Sequence, residues 1–71
     1  MTINHHVSRS SMISEVEYDD ENKVLTVTFT KGSRYEYSDV PKDVYEALIN
    51  AESIGQYFLA HIKNKYTTVK L

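Results

Sequence analysis

Between residues 24 and 30 the chain alternates, with Leu25, Val27 and Phe29 on one parity and Val24, Thr26, Thr28 and Thr30 on the other. Nearly all are β-branched or aromatic, so the spacing predicts a strand whose inner face is the first set. Residues 12–18 predict another strand, Ser14, Val16 and Tyr18 lying opposite the acidic Glu15 and Glu17, as in a ribbon with one wet face. Asp19, Asp20, Glu21 and Asn22 between them have short polar side chains that bond nearby backbone and favour a hairpin loop. Gly32, within Lys31-Gly32-Ser33, can take the positive φ of a tight turn. Residues 34–38 then alternate again, Tyr35 and Tyr37 opposite Arg34, Glu36 and Ser38.

Beyond Ser38 the period changes from two residues to 3.6. Pro41 suits the first position of a helix and Asp43 its first turn, which predicts a helix over about 41–51. Val44, Ala47, Leu48 and Ala51 form its apolar stripe, and Tyr45 and Ile49 widen that arc beyond what one contact needs. Val44, Tyr45, Leu48 and Ile49 are therefore a candidate surface for homo-oligomerisation. Ser53 and Gln56 have the spacing of a capping box, opening a second helix expected to run to about Lys65, with Ile54, Tyr57, Phe58, His61 and Ile62 on one face. Tyr66-Thr67-Thr68-Val69 is β-prone and reads as an edge strand or an extended tail. Residues 1–10 show no apolar period and read as a flexible arm before a single domain over residues 11–71. The expected fold is α+β: a three-stranded antiparallel β-meander followed by two short α-helices packed on one face.

Composition narrows the function classes. A chain of 71 residues hides only about 60% of its unfolded surface, so the core is thin. That leaves little room for a deep cleft, which needs about 300 Å³ or more. With no cysteine there is neither a disulfide framework nor a thiolate zinc site. No run of about 18 uncharged apolar residues and no secretory apolar core are present, so no membrane partner and a cytoplasmic location are expected. Formal net charge is −2, but it is uneven: Glu15, Glu17, Asp19, Asp20 and Glu21 crowd the first third, while His61, Lys63, Lys65 and Lys70 gather near the end. An anion-binding face should use the C-terminal segment.

Tyr35 and Tyr37 share a sheet face, either as a platform on which bases stack or as core residues under the helices. Tyr57 and Tyr66 are further stacking candidates, and Arg9, Arg34, Lys63 and Lys65 candidate phosphate partners. Ser10 and Ser11 beside Arg9 suit phosphate oxygens, although such residues are also ordinary in loops. His61 is either an anion contact or a packed, hydrogen-bonded histidine, since no nucleophile or carboxylate is placed to make it catalytic. His5 and His6 make at most a loose chelating tip, the acidic segment lacks a calcium-loop pattern, and Gly32 and Gly55 stand outside any nucleotide-binding motif. No enzyme, metal or cofactor is expected.

From Ser10 to Tyr66 the chain resembles the KTSC domain, a segment found at the C-terminus of some lysyl-tRNA synthetases and as a stand-alone bacterial or phage protein. Ser10-Ser11, Tyr18-Asp19, Tyr35-Glu36-Tyr37, Val40-Pro41, Val44-Tyr45 with Leu48, and Ser53-Ile54-Gly55-Gln56-Tyr57-Phe58 with Ile62 and Tyr66 carry the likeness. Leu59 and His61 depart from it, standing where an asparagine and another polar residue are common. The resemblance points to a non-enzymatic binding module for RNA or a nucleotide-like ligand. The alternatives are a homo-oligomerising interaction domain, or a phage-type protein that sequesters a small signal nucleotide.

Overall fold

The computed structural model describes residues 2–6 and 12–71, without the side chains of His5 and His6; the candidates Arg9, Ser10 and Ser11 lie outside the described residues. Five strands and two helices follow in chain order: β1 (Thr2–His6), β2 (Ile13–Asp19), β3 (Val24–Phe29), β4 (Arg34–Tyr37), α1 (Lys42–Asn50), α2 (Ile54–His61) and β5 (Thr68–Lys70). The strands form one sheet in the order β1-β2-β3-β4-β5, each neighbouring pair antiparallel. The expected α+β class and its meander are present, but the sheet has five strands rather than three. β1 comes from the segment read as an arm. Its pairing rests on backbone hydrogen bonds to β2, which leave no apolar period in the sequence.

Register explains the burial. Ile3, Tyr18, Leu25, Tyr37 and Thr68 stand in one row across the sheet, and Val16, Val27, Tyr35 and Lys70 in the next. Both helices cover this side, and Leu25, Val27, Val16 and Tyr18 have no exposed surface. The opposite side carries Asn4, Glu17, Thr26, Glu36 and Val69 in one row and Glu15, Thr28 and Arg34 in another. Alternation fails once, at Ser14: β2 and β3 shift register between Ile13 and Glu15. Ser14 is the surplus residue of a bulge, its hydroxyl donating to the Thr28 carbonyl at 3.2 Å. Ile13 therefore joins the core rather than the wet face.

The turns use the chemistry expected of them. Asp19 accepts the backbone N–H groups of Glu21 and Asn22 at 3.0 and 3.2 Å and the Asn22 amide at 2.9 Å. Those bonds, the Asn22 side chain's first, hold its carboxyl below the usual aspartate range. Gly32 takes φ 101° between β3 and β4, donating to Phe29 O at 2.8 Å while Phe29 N donates to Ser33 O at 2.8 Å.

Pro41 caps α1 rather than occupying its first turn, its carbonyl accepting from Val44 and Tyr45. Tyr45 and Leu48 are buried, whereas Ala47, placed on the stripe by spacing, faces water. The broad arc of α1 is thus spent inside the domain: Tyr45 stacks on Tyr18, and Val44 and Ile49 are packed against the core. Of the four residues of that arc, Tyr45 and Leu48 are buried and Val44 and Ile49 half-buried. Ser53 Oγ accepts from Gln56 N at 3.3 Å, as a capping box requires. α2 ends at His61, a turn short of the expected Lys65, because Lys63 N bonds back to Phe58 O and Asn64 takes φ 65°.

Candidate functional site

α2 sets Phe58 against both Tyr37 and Phe29 without fully covering the rings of Phe29 and Tyr35. The two rings stay half-buried, edge to face at 5.7 Å, over an open groove of about 570 Å³. That volume exceeds what the thin core was expected to leave, because the cleft lies between sheet and helix end rather than within the core.

The groove has an aromatic floor and a polar rim. Phe58 meets both Phe29 and Tyr37 edge to face, at 5.5 Å in each case. Leu59, half exposed, forms one apolar lip and Met12, just before β2, another. The β3–β4 turn contributes Thr30, Lys31 and Ser33, while the turn after α2 contributes Lys63 and Asn64. Thr68 closes the β5 side. Lys31 and Lys63 are exposed, and neither has an ion-pair partner among the described residues. The groove can therefore offer apolar ring surface flanked by two positive charges, and Glu15, Glu17 and Glu36 project from the other face of the sheet.

Three of the residues singled out from sequence meet here: Tyr35, Tyr37 and Lys63. Tyr37 is only 4% exposed, so its ring is floor rather than platform, and burial, with Tyr35 nearby, raises its phenol above the ordinary 10.0. Arg34 is on the opposite face, where its guanidinium bonds Glu17 at 3.3 Å, so it is no partner for a phosphate in the groove. Tyr57 and His61 meet ring to ring at 4.4 Å with their planes tilted by 38°, and neither lines the groove. His61 is exposed, not packed on the apolar face as its spacing suggested. Lys65 projects from the following turn, and Tyr66 packs against the core.

Phe29, Lys31, Leu59 and Asn64 were not candidates on sequence. Phe29 had a legible signal, sharing parity with the strand core while abutting the glycine turn. Lys31 and Asn64 meet only through tertiary folding. Among the described residues, no cluster of three histidines, cysteines or carboxylates could hold a metal, and no helix is long and apolar enough to cross a membrane.

Comparison with known proteins gives a consistent result. Residues 9–66 match the KTSC domain. A lysine–tRNA ligase of Trichormus variabilis is 48% identical over 56 residues, and one of Nostoc punctiforme 45%; each match covers 79% of this chain. The chain spans only about a tenth of the length of those ligases. An uncharacterized protein of Stutzerimonas stutzeri is 40% identical over 70% of both chains. The crystal structure of a KTSC domain protein from Yersinia pestis superposes with a TM-score of 0.90 at 32% identity, covering 100% of this chain and 99% of that one.

Proposed function

The chain belongs to the KTSC domain family, and we propose that it is a non-enzymatic module that binds single-stranded RNA, taking a nucleotide unit into the groove. The observation that carries this reading is the half-buried Phe29–Tyr35 pair in a groove also lined by Lys31 and Lys63, neither of which has an ion-pair partner among the described residues. Aromatic surface accepts any base through its π-face, and flanking ammonium groups suit the phosphates on either side. The volume falls within the roughly 300–1,000 Å³ that accommodates small ligands, enough for one nucleotide. Acidic residues on the reverse face would turn a polyanion toward the groove side. The similarity to a segment of lysine–tRNA ligases, proteins named for an RNA substrate, favours RNA over other anions. Among the described residues the groove is lined by no carboxylate or histidine, so none of them supplies an acid–base pair of that kind.

Titration of a labelled single-stranded RNA over a salt series tests the proposal. Affinity should fall as salt rises, and the K31E/K63E double variant should bind more weakly with a log–log slope shallower by about 1.4, the contribution of two phosphate contacts. Mononucleotide competition separates a chain-binding site from one that captures free nucleotides. Binding that ignores salt, or a double variant with an unchanged slope, contradicts the reading.

A further inference from the structure

β5 is held to the domain by its backbone. Thr68, Val69 and Lys70 are all exposed, as are Thr67 before them and Leu71 after them, so no side chain of residues 67–71 is buried. What ties this segment to β4 is an antiparallel ladder, bounded by Ser38 N donating to Thr67 O at 3.0 Å and Leu71 N donating to Arg34 O at 2.9 Å. Tyr66, packed against the core, anchors the chain just before it. An edge strand built this way opens more readily than one that carries core side chains, such as β3. Its opening would alter the groove, because Thr68 lines the groove on this side.

Lys70 follows Thr68 by two residues, so alternation puts it on the same side of the sheet, and its cross-strand partner is Tyr35. It is exposed and has no ion-pair partner among the described residues. Lys70 thus stands one strand beyond the half-buried Tyr35 ring, toward the end of the sheet where the β3–β4 turn carries Lys31. We infer that Lys70 is a third phosphate contact and that bound RNA fastens β5 through it. This inference rests on the RNA-binding reading above: RNA stacked at Phe29 and Tyr35 continues past Tyr35 over β5, so opening of β5 breaks a contact to the ligand as well as the ladder to β4. By reciprocity, the factor by which that contact tightens binding is also the factor by which RNA holds β5 closed.

The test pairs a salt titration of a short oligouridylate with hydrogen exchange of the full chain, comparing wild type with K70Q and with K65Q, whose lysine does not line the groove. In the free protein the Ser38 and Leu71 amides should exchange faster than those of β3, and saturating oligouridylate should slow them about fivefold. K70Q should bind with a log–log slope shallower by about 0.7, the share of one phosphate, which is about fivefold in affinity near 0.1 M salt. RNA should then no longer slow exchange of the two amides in K70Q, while K65Q should behave as wild type in both measurements. An unchanged slope in K70Q, exchange of the two amides that RNA does not slow, or equal losses in K65Q and K70Q overturns the role of Lys70; salt-dependent binding that K31E/K63E weakens would leave the groove reading standing. Absence of salt-dependent binding by the wild-type chain overturns both.

Discussion

Tyr18 on β2 and Tyr45 on α1 stack nearly parallel, their ring centroids 4.9 Å apart and their planes 10° from coplanar. Their hydroxyls differ. Tyr18 donates to the Val40 carbonyl at 2.6 Å, fastening the sheet to the segment that leads into α1, whereas the buried Tyr45 hydroxyl has no partner among the described residues. Tyr18→Phe should therefore cost about 1–3 kcal/mol, since it strands a buried carbonyl. Tyr45→Phe should change stability by less than about 1 kcal/mol, and in the stabilising direction, because it removes a buried polar atom that gains nothing. Urea midpoints of the two variants decide the point, and a larger loss for Tyr45→Phe would refute it.

The same phenols predict an alkaline limit. Burial raises the pKa of Tyr18, Tyr37 and Tyr45 above the ordinary 10.0, helped at Tyr18 by the charges of Asp20, Asp43 and Asp19 and at Tyr45 by Glu46. Unfolding releases each phenol to ionise at its lower, ordinary value. The contribution is thus complete below 10.0 and is lost as pH climbs above it, the folded state then holding more protons than the unfolded one. Urea midpoints should fall between pH of about 9 and about 11, and less steeply in Tyr45→Phe, which removes one of the titrating groups.

Gly32 isolates a backbone effect. Its φ is 101°, and a methyl group added there would meet nothing within 4 Å. Gly32→Ala should still cost about 1–3 kcal/mol, all of it conformational, with Gly32→Asn losing less. Because Lys31 and Ser33 flank this turn and line the groove, RNA binding by Gly32→Ala should weaken more than the stability loss alone accounts for; unchanged binding in a folded variant would show that the turn does not position Lys31.

Groove and reverse face should separate cleanly in binding. Tyr35→Ala removes a half-buried ring at the groove and should weaken RNA binding by about 1–3 kcal/mol, with thermal melting used to check that the variant remains folded. Arg34→Ala, one residue earlier but on the far side with Glu17, should leave affinity within about twofold and stability within about 1 kcal/mol, as for an exposed pair. A larger binding loss for Arg34→Ala than for Tyr35→Ala would place the RNA on the wrong side of the sheet.

Strict alternation made β3 and β4 legible: Leu25, Val27, Phe29, Tyr35 and Tyr37 all point to the side predicted for them, and Ser53 begins its helix as the capping pattern says. Three kinds of information were not in the local pattern. β1 pairs through backbone groups common to every residue type, with Ile3 its one inward apolar side chain among those described. The bulge at Ser14 changes parity without any glycine or proline to announce it. Tyr45 was a surface candidate on a helix wheel because its partner, Tyr18, lies 27 positions earlier, a separation no window spans. The site followed the same division. Aromatic floor residues could be read from strand parity, but the rim could not, because Lys31 and Asn64 approach the groove from turns whose meeting depends on where α2 stops.

The extra residue in β2 gives the domain an independent adjustment. Excising Ser14 would bring Ile13 and Glu15 into plain succession, and alternation would then still aim Ile13 inward and Glu15 outward, so the packed interior need not be redrawn. What would move is Met12, just before β2, which forms a lip of the groove. A one-codon change in length can thus retune the mouth of the cleft while sparing the framework beneath it.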